Sequence, residues 1–391
     1  MTGSTDLIRD LVAFPTVSRD PNRDLLAYVT RWLSRHGVQS EIIWNDARTK
    51  GNLWATIGPA DQPGVILSGH TDVVPVDGQP WQGDPFVMRE ADGRLYGRGT
   101  ADMKGFIGTV LAAVPDLVTR HLKAPVHIAL SYDEEVGCTG VTSLLDRLAE
   151  LPVKPALCIV GEPTSMQIAT GHKCAGMYRI TLTGAAAHSA RAPEGVSAIS
   201  AAARLILFID DLAAEMLREA EPDPDYEFPG ATLSVNTIDG GTALNIVPGN
   251  CTLGLDIRAP ADVTLDTLMA HVRTFIETEL LPDMRRRHPG CTIEIEEIVR
   301  VHGLSTDRTD PAVRFLASLL PQHPAIKVDF GTEAGAFTHR TGITSLVCGP
   351  GSMAQGHQPD EFIELDQIRQ LEDMLARLAD RLEADTVHPK G

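Results

Sequence analysis

Apolar residues recur at helical spacing from the start of the chain. Leu7, Ile8, Leu11 and Val12 share one face of residues 5–14, and Pro15 closes the run. A second helix is predicted over 22–36, with Leu25, Tyr28, Val29, Trp32 and Leu33 on one side and Gly37 as its stop. The pattern then shortens to apolar runs at 39–44, 52–57 and 64–69, which read as strands. Residues 105–120 read as a helix interrupted or ended near Pro115, 126–131 as a strand, 142–151 as a helix and 156–160 as a strand. Buried-type strands alternating with helices predict an α/β layer: a mostly parallel central sheet flanked by helices.

From about Lys173 the texture changes. Residues 178–183 alternate like a half-exposed strand, and 197–217 form a long alanine-rich helix. An acidic, proline-containing segment at 221–230 leads into strands at 231–238 and 244–258, then a helix at 264–281 and a strand at 291–299. That order is the βαββαβ, ferredoxin-like arrangement. A helix at 310–320, a strand at 343–348 and a terminal helix at 365–383 resume the first pattern. The expected organisation is one domain of residues 1–173 and 302–391, with a second domain, 174–301, inserted into it.

Length and composition agree with two ordinary globular domains. The chain has 391 residues, 43% hydrophobic and 22% charged, and its low aromatic share of 5% predicts an aliphatic core. Six cysteines lie far apart with no CxxC pair, which excludes a cysteine-rich zinc module and a disulfide framework and fits the reducing cytoplasm. A formal charge of −18 disfavours nucleic acid and anionic membranes as partners. It would help draw in a cationic metabolite, although many acidic proteins have no such ligand. The amino end lacks a signal-peptide pattern, and no apolar stretch has the length of a membrane span.

The chemistry gathers where predicted strands end. The run at 64–69 leads into Gly69-His70-Thr71-Asp72, the run at 126–131 into Tyr132-Asp133-Glu134-Glu135, and the run at 156–160 into Gly161-Glu162. The strand at 343–348 is followed, after a glycine-rich turn, by Gly356-His357, and Asp102 lies in a glycine-rich loop that opens a helix. In an open α/β sheet, ligands bind at the carboxyl edge of the strands. Imidazoles and carboxylates without a thiolate suit zinc or a similar ion in a catalytic site, and a carboxylate can bridge two such ions. Taken singly, each residue is ordinary: a hydrogen-bonded histidine, a helix-capping aspartate, a solvated glutamate pair. The Gly97-x-Gly99 pair lacks the spacing and preceding strand of a dinucleotide loop.

The chain also resembles a known family, the aminoacylase, acetylornithine deacetylase and carboxypeptidase G family of co-catalytic zinc hydrolases. The matching segments are SGHTDVVP (68–75), YGRGTADMKG (96–105), SYDEEVG (131–137), GEPT (161–164), AAAHSARAPEG (185–195) and GHQPDE (356–361), in the family's order. The resemblance implies two zinc ions per subunit, replaceable by cobalt or manganese. His70, Asp102 and Glu162 would hold one ion; Asp102, Glu135 and His357 the other, with Asp102 as the bridge. It further implies that Asp72 orients His70, and that Glu134 is the general base serving the attacking water and the leaving amine. His188, on an inserted lid and dimerisation domain, would come from the partner subunit of a homodimer and steady the oxyanion. One departure is Cys174-Ala175 after Lys173, where the family pattern has a glycine.

Within the family, FGTEAGAF (330–337) and VCGPGSMAQGHQPDEF (347–362) resemble the acetylornithine deacetylase subgroup. The expected substrate is accordingly a small N-acyl amino acid. Arg258 is the candidate partner of its α-carboxylate, Asn245 a candidate amide contact and Glu333 the candidate partner of its side-chain ammonium. For Glu333 the competing reading is a loop glutamate in solvent. The competing functions are a desuccinylase, aminoacylase or dipeptidase with the same site, and a non-catalytic metabolite-binding protein.

Overall fold

A computed structural model of the chain describes residues 3–220, 225–226, 228–321 and 324–385. Of the acidic segment expected at 221–230, residues 221–224 and 227 lie outside the described residues. The chain forms two compact units. One comprises the residues up to Gly171, Leu304–Lys327 and those from Thr332 onward; the other comprises His172–Gly303 and Val328–Gly331.

In the first unit, helices Ser4–Val12 and Arg23–Arg35 bury the apolar faces read from their spacing. Four strands form the parallel centre of the sheet: Val126–Ser131 beside Val65–His70, then Leu157–Val160, then Thr344–Val347. Gly51–Ile57 and Ser40–Trp44 extend it antiparallel on one side, and Ala169–His172 pairs antiparallel with Thr344–Val347 on the other. Every residue of the two strands Val65–His70 and Val126–Ser131 is buried, as expected of a sheet covered on both faces. The register pairs His70 with Ser131 and Ser68 with Val160, so these strands deliver their following loops to one edge.

The helix expected to break near Pro115 runs through it, from Lys104 to Leu117. Proline has no N–H to donate to the carbonyl four residues back, which here is that of Leu111. The indole N–H of Trp32 donates to that carbonyl instead, at 2.9 Å. With its acceptor satisfied by another helix, the last turn continues.

A small antiparallel sheet of Arg89–Ala91, Arg94–Tyr96 and Phe362–Glu364 is absent from the sequence reading, because strands this short show no periodicity. It pairs Tyr96 with Phe362, and so sets the loop that follows residue 96 beside the loop that precedes residue 362.

The second unit is a four-stranded antiparallel sheet in the order Thr232–Gly240, Asn250–Ala259, Cys174–Thr183, Thr292–Val301. Its helices are Ala198–Glu219 and Leu265–Phe275, the latter continuing through a wider turn, Ile276–Leu280, into Leu281–Arg287. The single strand expected at 244–258 is two: Ile246–Val247 leaves to pair with Ala187–His188, and the main strand begins after Pro248-Gly249. Lys173 is buried and pairs with Asp329 at 2.9 Å, a structural use of its charge.

Candidate metal centre

His70 ends its strand, Glu134 and Glu135 follow Val126–Ser131, and Glu162 follows Leu157–Val160. Gly161, just before Glu162, lies flat against Phe106. A Cβ at that position would meet the ring at 2.1 Å, so only glycine lets the chain pass there and turn Glu162 into the cluster. His357 arrives by a longer route, ten residues after Thr344–Val347, with its backbone in the left-handed region (φ 61).

These residues converge within the first unit. Nε2 of His70 lies 2.9 Å from Oδ1 of Asp102 and 3.6 Å from Oε1 of Glu162. Nε2 of His357 lies 3.2 Å from Oδ2 of Asp102 and 2.9 Å from Oε2 of Glu135. Asp102 thus offers one oxygen to each histidine. Donor atoms of His70, Asp102 and Glu135 fall within 4.8 Å of one another, as do those of His70, Glu134 and Glu162. The second trio includes Glu134, so the residue expected to act as a base lies within reach of the same cavity as the expected ligands.

Asp72 meets His70 with both its backbone and its side chain. Its backbone carbonyl, at 2.9 Å, accepts the Nδ1–H of His70, and its carboxylate stands 3.6 Å away. The carboxylate also accepts the Ser18 hydroxyl at 2.7 Å and the backbone N–H groups of Glu134 and Glu135 at 3.2 and 3.4 Å. Asp72 therefore ties the His70 strand to the loop that carries both glutamates.

The electrostatics call for a cation. Burial pushes the Glu134 and Glu162 carboxyls well above the ordinary range and Glu135 up to about 7, with neighbouring carboxylates adding to each. Hydrogen bonds to Asp102 and Glu135 raise His357 to about 10. Oε1 of Glu135 and Oε1 of Glu162 are buried with no hydrogen-bond partner. Buried oxygens of this kind carry a desolvation cost unless something coordinates them. A donor set of two imidazoles and several carboxylates around one bridging aspartate fits a pair of divalent ions.

Residues 66–381 match the model of Peptidase family M20/M25/M40. The chain belongs to that family. An acetylornithine deacetylase of Yersinia pseudotuberculosis is 34% identical over 387 residues, covering 96% of each chain, and one of Proteus mirabilis is 34% identical over 384. Among solved structures, an M20 metallo-carboxypeptidase of Sulfolobus solfataricus superposes with a TM-score of 0.76 at 16% identity, covering 98% of this chain and all of that one. A dinuclear metal-binding M20 peptidase of Bacillus subtilis gives 0.67 at 14% identity, covering 98% of both. The M20 assignment makes the chain a metal-dependent hydrolase with an α/β fold, as its motifs implied.

Several polar contacts of this M20 centre went unassigned in the sequence. Glu361 is 1% exposed and accepts the backbone N–H groups of Gly99, Ala101 and Asp102 at 2.8–3.0 Å. The thiol of Cys138 donates to Glu134 Oε1 at 3.3 Å. Glu333 is 1% exposed, which removes the reading as a solvated loop residue; Ser131 donates to its Oε2 at 2.9 Å and its Oε1 has no partner. The only sequence signal for Glu361 was its place in the GHQPDE segment.

His188, Asn245 and Arg258 lie in the second unit. His188 is exposed, and its Nδ1 accepts the Ala190 N–H at 3.1 Å. The Asn245 carbonyl accepts the Ser189 N–H at 2.9 Å, which places Asn245 beside His188 where the short strands Ala187–His188 and Ile246–Val247 pair. Arg258 is held by Asp256 through Nε and Nη2 at 2.9 and 3.0 Å.

Proposed function

We propose that the chain hydrolyses the acetyl amide of Nα-acetyl-L-ornithine to L-ornithine and acetate, a step of arginine biosynthesis in the cytoplasm, using two zinc ions. The observation that carries the hydrolytic reading is Asp102, one carboxylate shared by two histidines with Glu134 beside it. The relatives named acetylornithine deacetylase support the substrate. His70, Asp102 and Glu162 would hold one ion, and Asp102, Glu135 and His357 the other. Bound there, the ions would polarise the amide carbonyl and make water more acidic.

The remaining work falls to side chains. Glu134 takes the proton of the attacking water and returns it to the leaving nitrogen. Because Nδ1 of His188 accepts a backbone N–H, neutral His188 carries its proton on Nε2 and donates from there. That donor serves the developing oxyanion, contributed by the partner subunit of a homodimer whose inserted domain acts as lid and dimerisation surface. Arg258 reaches the substrate carboxylate through Nη1 or by giving up Asp256, and Asn245 lies beside His188 across the paired strands. Glu333, with an unpaired buried oxygen, is the partner for the side-chain ammonium.

The test is turnover of the zinc-reconstituted protein on acetylornithine, succinyl-diaminopimelate, acetylmethionine and a dipeptide. Acetylornithine should rank first. Ranking last would overturn the substrate, and no turnover of any member, with no metal bound, would overturn the hydrolytic reading.

A further inference from the structure

The loop carrying His357 has little to hold its histidine in place. The side chain is 45% exposed, and the residue lies far from its strand in a left-handed backbone conformation that side-chain-bearing residues seldom adopt. Its ring is therefore placed by its backbone. The carbonyl oxygen of His357 accepts the side-chain amide of Gln79 at 2.9 Å. Gln79 in turn accepts Nη2 of Arg98 at 2.7 Å and the indole N–H of Trp81 at 3.1 Å, and Trp81 stacks on the guanidinium at 5.0 Å. The side chain of Arg98 is 1% exposed and that of Glu361 0%, and their ion pair measures 2.7 Å. Oε1 of Glu361 accepts the N–H groups of Ala101 and Asp102, and Oε2 accepts that of Gly99 together with Arg98. Four donors on one carboxylate fix the loop that presents Asp102.

We propose that Gln79, Arg98 and Glu361 are positioning residues that set the spacing between Asp102 and His357, and so control occupancy of the metal position those two share with Glu135. The chain of contacts begins at the backbone of one expected ligand and ends at the backbone of the other. Its Asp102 end is shared with His70, whereas its His357 end belongs to the second position alone. The two metal positions therefore differ in support: to the shared Asp102 one adds His70 and Glu162 at strand ends, whereas the other adds His357, on a loop joined to Asp102 by this buried ion pair. Loss of the Gln79 link to His357 lowers affinity at the second position and leaves the first intact, while loss of the Glu361 carboxylate loosens Asp102 and weakens both. This inference rests on the two-metal reading above.

The test is titration of the metal-free protein with zinc, read by calorimetry and by metal content after dialysis. Gln79→Ala keeps the Arg98–Glu361 pair and cuts the link to His357, together with the acceptor that Arg98 and Trp81 share; Glu361→Gln removes the carboxylate at nearly constant shape. Wild type should take up two ions per chain. Gln79→Ala should bind the first ion as wild type does and the second about 10–100-fold more weakly, the range seen when groups supporting metal ligands are removed, and Glu361→Gln should weaken both, because Asp102 serves both. Gln79→Ala should show its selective loss while the metal-free protein still unfolds in a single cooperative transition, and it keeps the test open if Glu361→Gln does not fold. Equal affinity at both positions in Gln79→Ala and wild type would overturn the proposal, as would parallel weakening of both in Gln79→Ala. Failure of wild type to take up two ions would instead overturn the two-metal reading itself.

Discussion

The carboxylate of Asp72 accepts the backbone N–H of Glu134 at 3.2 Å, while the Asp72 carbonyl holds His70 Nδ1. One residue thus connects the first histidine of the site to the loop of the proposed base. Asp72→Ala should keep the carbonyl contact to His70 and lose the loop tie. Zinc bound at His70 should persist, while turnover falls about 10–100-fold. Metal analysis beside steady-state kinetics checks this; loss of metal in proportion to activity would contradict it.

Glu134 should be separable from its neighbour. Glu134→Gln should retain zinc and lose turnover by about 100-fold or more, the usual contribution of a general base. Glu135→Gln should instead lower the metal content, because Glu135 faces His357 at 2.9 Å. If the two variants behave alike in metal analysis, the division of roles is wrong.

The homodimer has its own test. Glu134→Ala and His188→Ala should each be inactive alone. Mixed after reversible dissociation, they should regain part of the wild-type rate if His188 serves the partner's site, since one site in a mixed dimer then holds both groups. A mixture as inactive as its components would place His188 in its own subunit's site or outside catalysis.

Away from the site, His127 predicts a pH dependence of stability. It is 6% exposed, stacks on Trp54 at 4.6 Å, and burial lowers it to about 4. The unfolded chain takes up a proton below about pH 6.5, whereas the folded protein does so only near 4. The contribution is complete above about pH 6.5 and is lost as pH falls toward 4, at up to about 1.4 kcal/mol per pH unit. Urea denaturation of His127→Gln should show a slope between pH 6.5 and 4 smaller by close to one proton; an unchanged slope would assign the effect elsewhere.

The contact between Trp32 and Leu111 predicts a non-additive pair. Trp32→Phe leaves the Leu111 carbonyl buried without a donor, a loss of about 1–3 kcal/mol beyond lost packing. In a Pro115→Ala background the helix can supply its own N–H to that carbonyl, and the same substitution should cost less. Equal costs in both backgrounds would mean that the indole bond is incidental.

These cases show what a sequence can and cannot disclose. His70 and Glu162 were legible because strand periodicity locates strand ends, and parallel strands share an edge. The α/β class was legible for the same reason. Glu134 and Glu135 are adjacent and chemically alike, so only family resemblance separated them. Trp32 and Leu111 are 79 positions apart, and no local pattern reveals that the indole satisfies the carbonyl left free where the helix passes Pro115. Glu361 and Gln79 were invisible as a pair because their link passes through Arg98, buried between loops that only tertiary folding brings together.

The route by which His357 reaches the cluster also bears on how the protein is made. A chain synthesised from its amino end has His70, Asp102, Glu135 and Glu162 well before His357 emerges, with the whole second unit produced in between. Until then, the second metal position lacks both its histidine and the Glu361 carboxylate that steadies Asp102. Completion of that position is therefore among the last events of folding. On the proposed two-ion reading, full metal loading marks a finished molecule, since a chain halted short of residue 357 lacks the imidazole that faces Asp102 and Glu135.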